Sequence, residues 1–346
     1  MNRHRRLKWL SAFGFVAISG TIGARAAMSL TARRYLDAAL DTMETHSVTR
    51  REVNWPSLRA QAHQHASAAL TPFQTYDAIR FALSSLGDHH SGLIEPALMV
   101  QLSTLTAADN PRPQGRLAAG KIGYILVPSF VGASQASIDA SATGLQRIVK
   151  DLGSQHPCGW MIDLQGNIGG NMWSMLAGLG PVLGSGSLGG TRDLDDVQVR
   201  WSYEDGVALE GTRPRARVTE RASPLVSDAS PVAVLINRVT ASSAEAIAIA
   251  FQGRPHARTF GESTRGQTTS NDQFRLRDGA TLNLSVSWFV DRTGRSYPDG
   301  VAPDEHIVGG ATESIQSTAQ GWLLAQPACS NPAVTSERAI PFGQAR

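Results

Sequence analysis

The run Val232-Ala233-Val234-Leu235-Ile236-Asn237-Arg238-Val239-Thr240-Ala241-Ser242-Ser243-Ala244-Glu245 decides the fold class. Its first five residues are apolar without a break and rich in β-branched side chains, as expected for a short strand buried on both faces. From 246 to 251 the pattern turns helical. Two more apolar runs, at 122–127 and 159–164, have the same character, with candidate helices between or after them. Strands alternating with helices predict an α/β domain around a buried sheet.

Working outward, residues 29–86 read as helical. Tyr35, Leu36, Ala39, Leu40 and Met43 keep one face apolar, and Tyr76, Ile79, Leu83 and Leu86 do so again. Two prolines among polar residues at 109–115 mark a linker. Past the quoted run, alternation over 280–290 predicts further strands and 312–324 a closing helix, while the polar stretch 195–210 reads as a hairpin leaving the sheet. No internal repeat of fixed period is present. The expected organisation is a leader over 1–26, a helical N-terminal unit over 27–107, the α/β domain over 116–330 and a tail over 331–346.

Composition excludes several function classes. At 42% hydrophobic residues the 346-residue chain can bury a real core, which excludes a disordered chain, and its glycines and prolines are scattered rather than periodic, which excludes a collagen-like one. Residues 1–26 hold Arg3, Arg5, Arg6, Lys8 and Arg25, no acid, an apolar run over 9–22 and the small-residue end Ala24-Arg25-Ala26. That is the anatomy of a secretory signal peptide, so an exported product, periplasmic or secreted, is expected. The apolar run falls short of the about 20 residues that a membrane-spanning helix needs. Without those five cations, 27 basic residues stand against 29 acidic ones, a net of −2, and the case for a nucleic-acid binder built on a basic surface disappears. In an oxidising compartment the lone pair Cys158 and Cys329 is read as a disulfide rather than as metal ligands, with two buried free thiols as the other reading.

Three segments carry candidate chemistry. Ser242, at a strand-to-helix junction, lies where backbone N–H groups converge and the helix dipole favours developing negative charge. It reads either as a nucleophile or as a helix cap completed by Glu245 three residues later. The loop Gln165-Gly166-Asn167-Ile168-Gly169-Gly170-Asn171 follows the strand at 159–164 and reads either as an anion-holding backbone loop or as an ordinary turn. Leu86-Gly87-Asp88-His89-His90-Ser91 places paired histidines at the end of the helical unit, near a domain junction. Other motifs fail their context tests. Residues 184–189 (Gly-Ser-Gly-Ser-Leu-Gly) have the letters of a dinucleotide fingerprint but follow a helical pattern and open no helix, so they read as a flexible loop. His63 and His65 are two apart on a helix and point away from each other, and no metal ligand set or organic cofactor is expected.

Together these segments resemble the tail-specific, or C-terminal processing, serine peptidases and their relatives, the tricorn core protease and the interphotoreceptor retinoid-binding modules. The shared motifs are Gly123 to Phe130, the loop from Asp163 to Gly170, Thr240 to Glu245, Phe260-Gly261-Glu262 to Gly266, and Gly300-Val301-Ala302-Pro303-Asp304. The resemblance implies a ClpP/crotonase-like α/β core and a polypeptide substrate. It implies Ser242 as nucleophile, with an oxyanion hole from backbone N–H groups of Gly169, Gly170 and Ser243. The lysine that serves the tail-specific branch as base falls on Gln267, and the chain's only lysines are Lys8, Lys121 and Lys150. The peptide-binding PDZ insertion has no room between His90 and Lys121. The tricorn-like branch instead uses histidine, which implies His90 as base; the acid of that branch falls on Tyr297, leaving Asp299 or Asp291 as substitutes. Gln165 stands where the family usually has arginine. A non-catalytic binding module on the same fold is the other reading, since fold does not dictate function.

Overall fold

The computed structural model describes residues 27–330 except 308. The leader at 1–26 and the tail at 331–346 lie outside the described residues. Three helices open the described residues: α1 (Leu30–His46), α2 (Trp55–His65) and α3 (Tyr76–Ser84). Ser29 caps α1 by accepting from the N–H of Ala32, and Asn54 caps α2 through the N–H of Ser57. The short strand β1 (Gly92–Ile94), the helix α4 (Pro96–Thr104) and the strand β2 (Gln114–Ala118) follow. These elements fill the interval from His90 to Lys121, and no PDZ-like insertion is found among the described residues.

The α/β domain is built on β3 (Ile122–Leu126), α5 (Gln135–Gly153), β4 (Gly159–Asp163), α6 (Met172–Leu183), β5 (Gly186–Arg192), β6 (Gln198–Glu204), β7 (Val207–Glu210) and β8 (Arg213–Arg217). It continues with β9 (Val232–Ile236), α7 (Ser243–Phe251), β10 (Ala257–Gly261), β11 (Thr269–Arg275), β12 (Thr281–Val290), β13 (Glu305–His306), α8 (Thr312–Leu324) and α9 (Pro327–Ser330). One sheet runs β13-β10-β9-β4-β3-β2, with its strands parallel except for the antiparallel β2–β3 edge. The period-2 geometry of β9 divides its buried side chains between two cores. Val232, Val234 and Ile236 join a core that includes residues of α5, α6 and α7, while Ala233 and Leu235 join Ile315, Ala319 and Leu323 of α8.

A second sheet, β1-β12-β5-β6-β7-β8 with β11 also paired to β12, lies beyond α6. Every residue of α6 is buried, with Trp201, Tyr203, Ala208 and Ala216 of that sheet in the same core. The hairpin at 195–210 is therefore part of a second sheet instead of an excursion. Likewise residues 186–190 are not a loop but strand β5, because the glycines allow close backbone approach. A Cβ on Gly189 would lie 2.7 Å from the Val290 carbonyl oxygen, and one on Gly190 would lie 2.5 Å from that of Val199.

The helical unit packs on the β11–β12 hairpin, whose Leu276, Ala280, Leu282 and Leu284 enter its core. The carboxylate of Asp278 in the hairpin turn accepts hydrogen bonds from the hydroxyls of Tyr35 (2.7 Å) and Tyr76 (2.6 Å). Asp278 stays below the usual carboxylate range: burial pushes it up, but the two phenols and the N–H of Ala280 outweigh this. Among the described residues no helix is long and apolar enough to cross a membrane.

Cys158 and Cys329 form a disulfide across 171 residues, fastening the segment after α8 to the entry of β4. Closing so long a loop restricts the unfolded chain, and its removal by Cys158→Ser or by reduction is expected to cost about 2–5 kcal/mol, read as a lowered midpoint in urea unfolding. An unchanged midpoint would show that the bridge contributes nothing.

Candidate active site

The carboxyl ends of β4 and β9 converge on one edge of the parallel sheet, the usual place for a site in such a fold. From β9 the chain turns through Asn237 to Ala241 into α7. Thr240 fastens this turn by donating its hydroxyl to the carbonyl of Leu164, and the N–H of Ala241 donates to the carbonyl of Asn167. Ser242 sits at the apex with φ 53° and ψ −120°, a conformation that costs a non-glycine residue of order 1–3 kcal/mol and persists only where the surroundings impose it.

Glu245 does the imposing. Its buried carboxylate accepts from the N–H groups of Ser242 (2.8 Å), Gly266 (2.8 Å) and Gln267 (2.8 Å) and from the Thr264 hydroxyl (2.5 Å). Thr264 Oγ1 in turn accepts the N–H of Val301 (2.8 Å). Burial pushes the carboxyl above its ordinary value, against the hydrogen bonds that pull it down. The three backbone N–H groups favour the carboxylate form, against burial. Glu245 thus supplies its half of the capping box by accepting the Ser242 N–H, which fixes the Ser242 backbone, while the Ser242 hydroxyl is turned to His90 rather than to the helix.

The histidine arrives from the other side. Strand β1 pairs antiparallel with β12, Gly92 opposite Asn283, which sets the preceding residues beside β11 and the middle of β12. Asp88 accepts the N–H groups of His90 (2.9 Å) and Ser91 (2.7 Å), and His89 takes φ 53°. The ring of His90 then lies with Nε2 3.0 Å from Ser242 Oγ and Nδ1 2.7 Å from Thr269 Oγ1. Burial pushes this imidazole below its ordinary value, partly opposed by the charge of Asp88. Ser242 and His90, 152 residues apart in sequence, are brought together as the motifs implied.

The glycine loop lies against the same turn. A Cβ on Gly169 would lie 2.8 Å from the Cβ of Ser242 and 2.9 Å from the nitrogen of Ser243, and a Cβ on Gly170 would lie 1.9 Å from the Phe130 carbonyl oxygen. Both glycines have φ above 100°, so no other residue fits either position without strain. The Ser243 hydroxyl donates to the Gly170 carbonyl (2.6 Å), joining loop and helix. The N–H of Gly169 is occupied by the side-chain oxygen of Asn167 (2.8 Å) and is not free for an oxyanion. No hydrogen bond within the described residues uses the N–H of Gly170 or of Ser243.

The acid expectation needs correction. Both ring nitrogens of His90 face hydroxyls, and neither Asp299 nor Asp291 bonds to it. Asp299 is exposed on the turn before Gly300. Asp291 is engaged by the hydroxyl of Tyr297 (2.7 Å) and by Thr293 and Arg295. The partner that sequence reasoning missed is Thr269; a threonine in a strand carries no signal of its own, and only the pairing of β11 and β12 brings it to the ring. Gln267 donates its side-chain N–H to the carbonyl of His89 (3.0 Å). His63 bonds to Asp37 and His65 stacks on Phe81, outside the site. An apolar pocket of about 240 Å³ lies between the linker prolines Pro111 and Pro113 and residues such as Val127, Phe130 and Leu145.

Residues 121–307, more than half of the chain, match the family model described as Peptidase family S41. The chain belongs to that family. It is accordingly a serine-type peptidase, and its α/β fold is the family's. The chain is 26% identical over 301 residues to the Nisin-resistance protein of Lactococcus lactis subsp. lactis, a match covering 85% of this chain and 87% of that one. It is 27% identical over 226 residues to the chloroplastic carboxyl-terminal-processing peptidase 3 of Arabidopsis thaliana, covering 64% of this chain but 38% of the relative. Among solved structures, a lipoprotein from Streptococcus agalactiae superposes with a TM-score of 0.71 at 24% identity, over 86% of this chain and 98% of that one. The photosystem II D1 C-terminal processing protease superposes at 0.58 with 16% identity, over 81% and 94%.

Glu245→Gln tests the clamp. It puts an amide NH2 against N–H donors that need an acceptor, and each buried donor left unpaired costs about 1–3 kcal/mol. Urea unfolding of the variant is expected to show a loss of at least about 2 kcal/mol; unchanged stability would mean that the turn holds its conformation without the carboxylate.

Proposed function

We propose that the protein is an exported peptidase that cleaves polypeptide substrates with Ser242 as nucleophile and His90 as general base. The observation that carries this reading is the 3.0 Å contact between His90 Nε2 and Ser242 Oγ beside two unused backbone N–H groups. The pair meets the geometric condition for proton transfer, and a hydroxyl beside a neutral imidazole is an activated nucleophile. Family membership supports the reaction class. The disulfide and the charge pattern of residues 1–26 support export, since such bridges persist in oxidising compartments.

In the first half-reaction His90 Nε2 takes the Ser242 proton as Oγ attacks the scissile carbonyl carbon. The negative charge that develops on the carbonyl oxygen is received by the N–H groups of Gly170 and Ser243, at the positive end of the α7 dipole. Gly169 shapes the loop instead of donating. Collapse of the tetrahedral intermediate breaks the C–N bond, and His90 gives its proton to the leaving amine. Water then attacks the acyl-Ser242 ester with His90 as base, and the released carboxyl product restores the Ser242 hydroxyl. The contact between His90 and Ser242 favours this reading over a non-catalytic binding module on the same fold.

The test is mass spectrometry of a diverse peptide library after incubation with the chain lacking residues 1–26, beside Ser242→Ala and His90→Gln. Each substitution is expected to lower cleavage by about 10⁴-fold or more. Full cleavage by Ser242→Ala would overturn the assignment. Because burial disfavours the imidazolium, the base stays neutral to lower pH than a free histidine. The acid limb of kcat/KM is therefore expected to have its midpoint below 6.5, and a midpoint above that value would contradict the buried neutral base.

A further inference from the structure

In a serine–histidine–carboxylate triad the carboxylate performs two tasks: it holds the ring in one tautomer and orientation, and it stabilises the imidazolium that forms. In this chain the hydroxyl of Thr269 occupies the position behind the ring. Behind Thr269, its Oγ1 meets the hydroxyl of Ser285 at 2.9 Å, and Ser285 donates to the side-chain oxygen of Asn271 at 3.1 Å. Asn271 is oriented by its own NH2, which donates to the His90 carbonyl at 3.0 Å. Thr269 and Ser285 are fully buried.

This chain of groups distinguishes the two tautomers of the ring. With the proton on Nδ1, three donors in series find three acceptors: Nδ1–H to Thr269, Thr269 to Ser285, and Ser285 to Asn271. With the proton on Nε2, Thr269 must donate to Nδ1. The single proton of Ser285 then serves either Thr269 or Asn271, leaving either a 2.9 Å oxygen–oxygen contact with no proton or a carbonyl oxygen with no near donor. The Nδ1–H form leaves the Nε2 lone pair facing the Ser242 hydroxyl, as a base requires.

Charge is supplied elsewhere. Asp88 is buried and, besides the N–H groups of His90 and Ser91, accepts the Ser91 hydroxyl at 2.6 Å. Ser91 Oγ in turn accepts the N–H of Ser285 at 2.9 Å, so Asp88, Ser91, Ser285, Thr269 and His90 form a closed circuit. The other groups at the ring are uncharged: Ser242 from the turn before α7, Thr269 and Asn271 from β11, and Ser285 from β12. Of the remaining neighbours, Glu245 is spent on four donors on the far side of Ser242, and His89 is exposed.

We infer that the two tasks of a triad carboxylate are divided here: Thr269, backed by Ser285 and Asn271, fixes the tautomer and orientation of His90, and Asp88 supplies the compensating negative charge without touching the ring. This rests on His90 acting as base for Ser242. Thr269 and Asp88 are positioning residues, since neither meets the substrate.

The experiment is imidazole NMR of chain labelled with 15N-histidine, the His90 resonances assigned by their loss in His90→Gln, together with the rate at which a fluorophosphonate probe labels Ser242. In the parent chain His90 is expected to be Nδ1–H near neutral pH. Thr269→Val keeps the shape and removes the hydroxyl; it should abolish the tautomer preference and slow labelling by about 10- to 100-fold, whereas Thr269→Ser restores both. Asp88→Asn keeps an acceptor for both backbone N–H groups and removes the charge; it should keep the tautomer and move the His90 titration down by about one pH unit. Should Thr269→Val fail to fold, Ser285→Ala breaks the same chain one link further from the ring and should weaken the same preference. An Nε2–H tautomer in the parent, unchanged tautomer and labelling in Thr269→Val or, where that variant does not fold, in Ser285→Ala, or an unchanged titration in Asp88→Asn, would each overturn the division. These NMR readouts do not depend on peptide cleavage, so Ser242-independent cleavage would overturn the proposed function separately.

Discussion

The buried carboxyl of Glu245 is the constraint on which the site depends. Burying a carboxyl group is costly, and hydrogen bonds offset part of the cost here. Those bonds are made by groups that otherwise have no reason to be near one another: the N–H of Ser242 on one segment and Thr264, Gly266 and Gln267 on another. Satisfying the carboxyl therefore holds the left-handed backbone at Ser242 and closes the loop that leads into β11. The Ser242 turn and the strand behind the histidine are organised by one group.

The second organising element is β12. On one side it pairs with β1, and so receives the segment that carries His90; on the other it pairs with β11, which carries Thr269 and Asn271. Its turn binds the helical unit through Asp278, Tyr35 and Tyr76, so the three opening helices act as a buttress for the segment that delivers the imidazole. A shift of one residue in the β1–β12 register would turn every side chain on β1 to the opposite face, so register strongly specifies the approach of the residues before it.

Gln267, at the position where the resemblance puts the lysine of the tail-specific branch, fits this architecture. Its backbone N–H belongs to the Glu245 clamp, and its side-chain amide reaches the carbonyl of His89. A residue that would carry the base in the lysine-using branch instead steadies the loop bearing the histidine.

Local sequence by itself determined the parallel strands and the helices that flank them, because those depend on side-chain periodicity, and it marked the Ser242 turn and the glycine loop as candidates without deciding their roles. The motif resemblance added the pairing of Ser242 with His90. Only the tertiary structure decided that 195–210 and 186–190 belong to a second sheet, since neither polar hairpins nor glycine-rich strands announce their partners. It also decided that the Gly169 N–H is already taken and that a threonine, not Asp299 or Asp291, stands behind His90. Hydrogen bonds between residues far apart in sequence follow from strand pairing and register, and hydroxyl and amide side chains are too common along the chain for their pattern to reveal which of them meet.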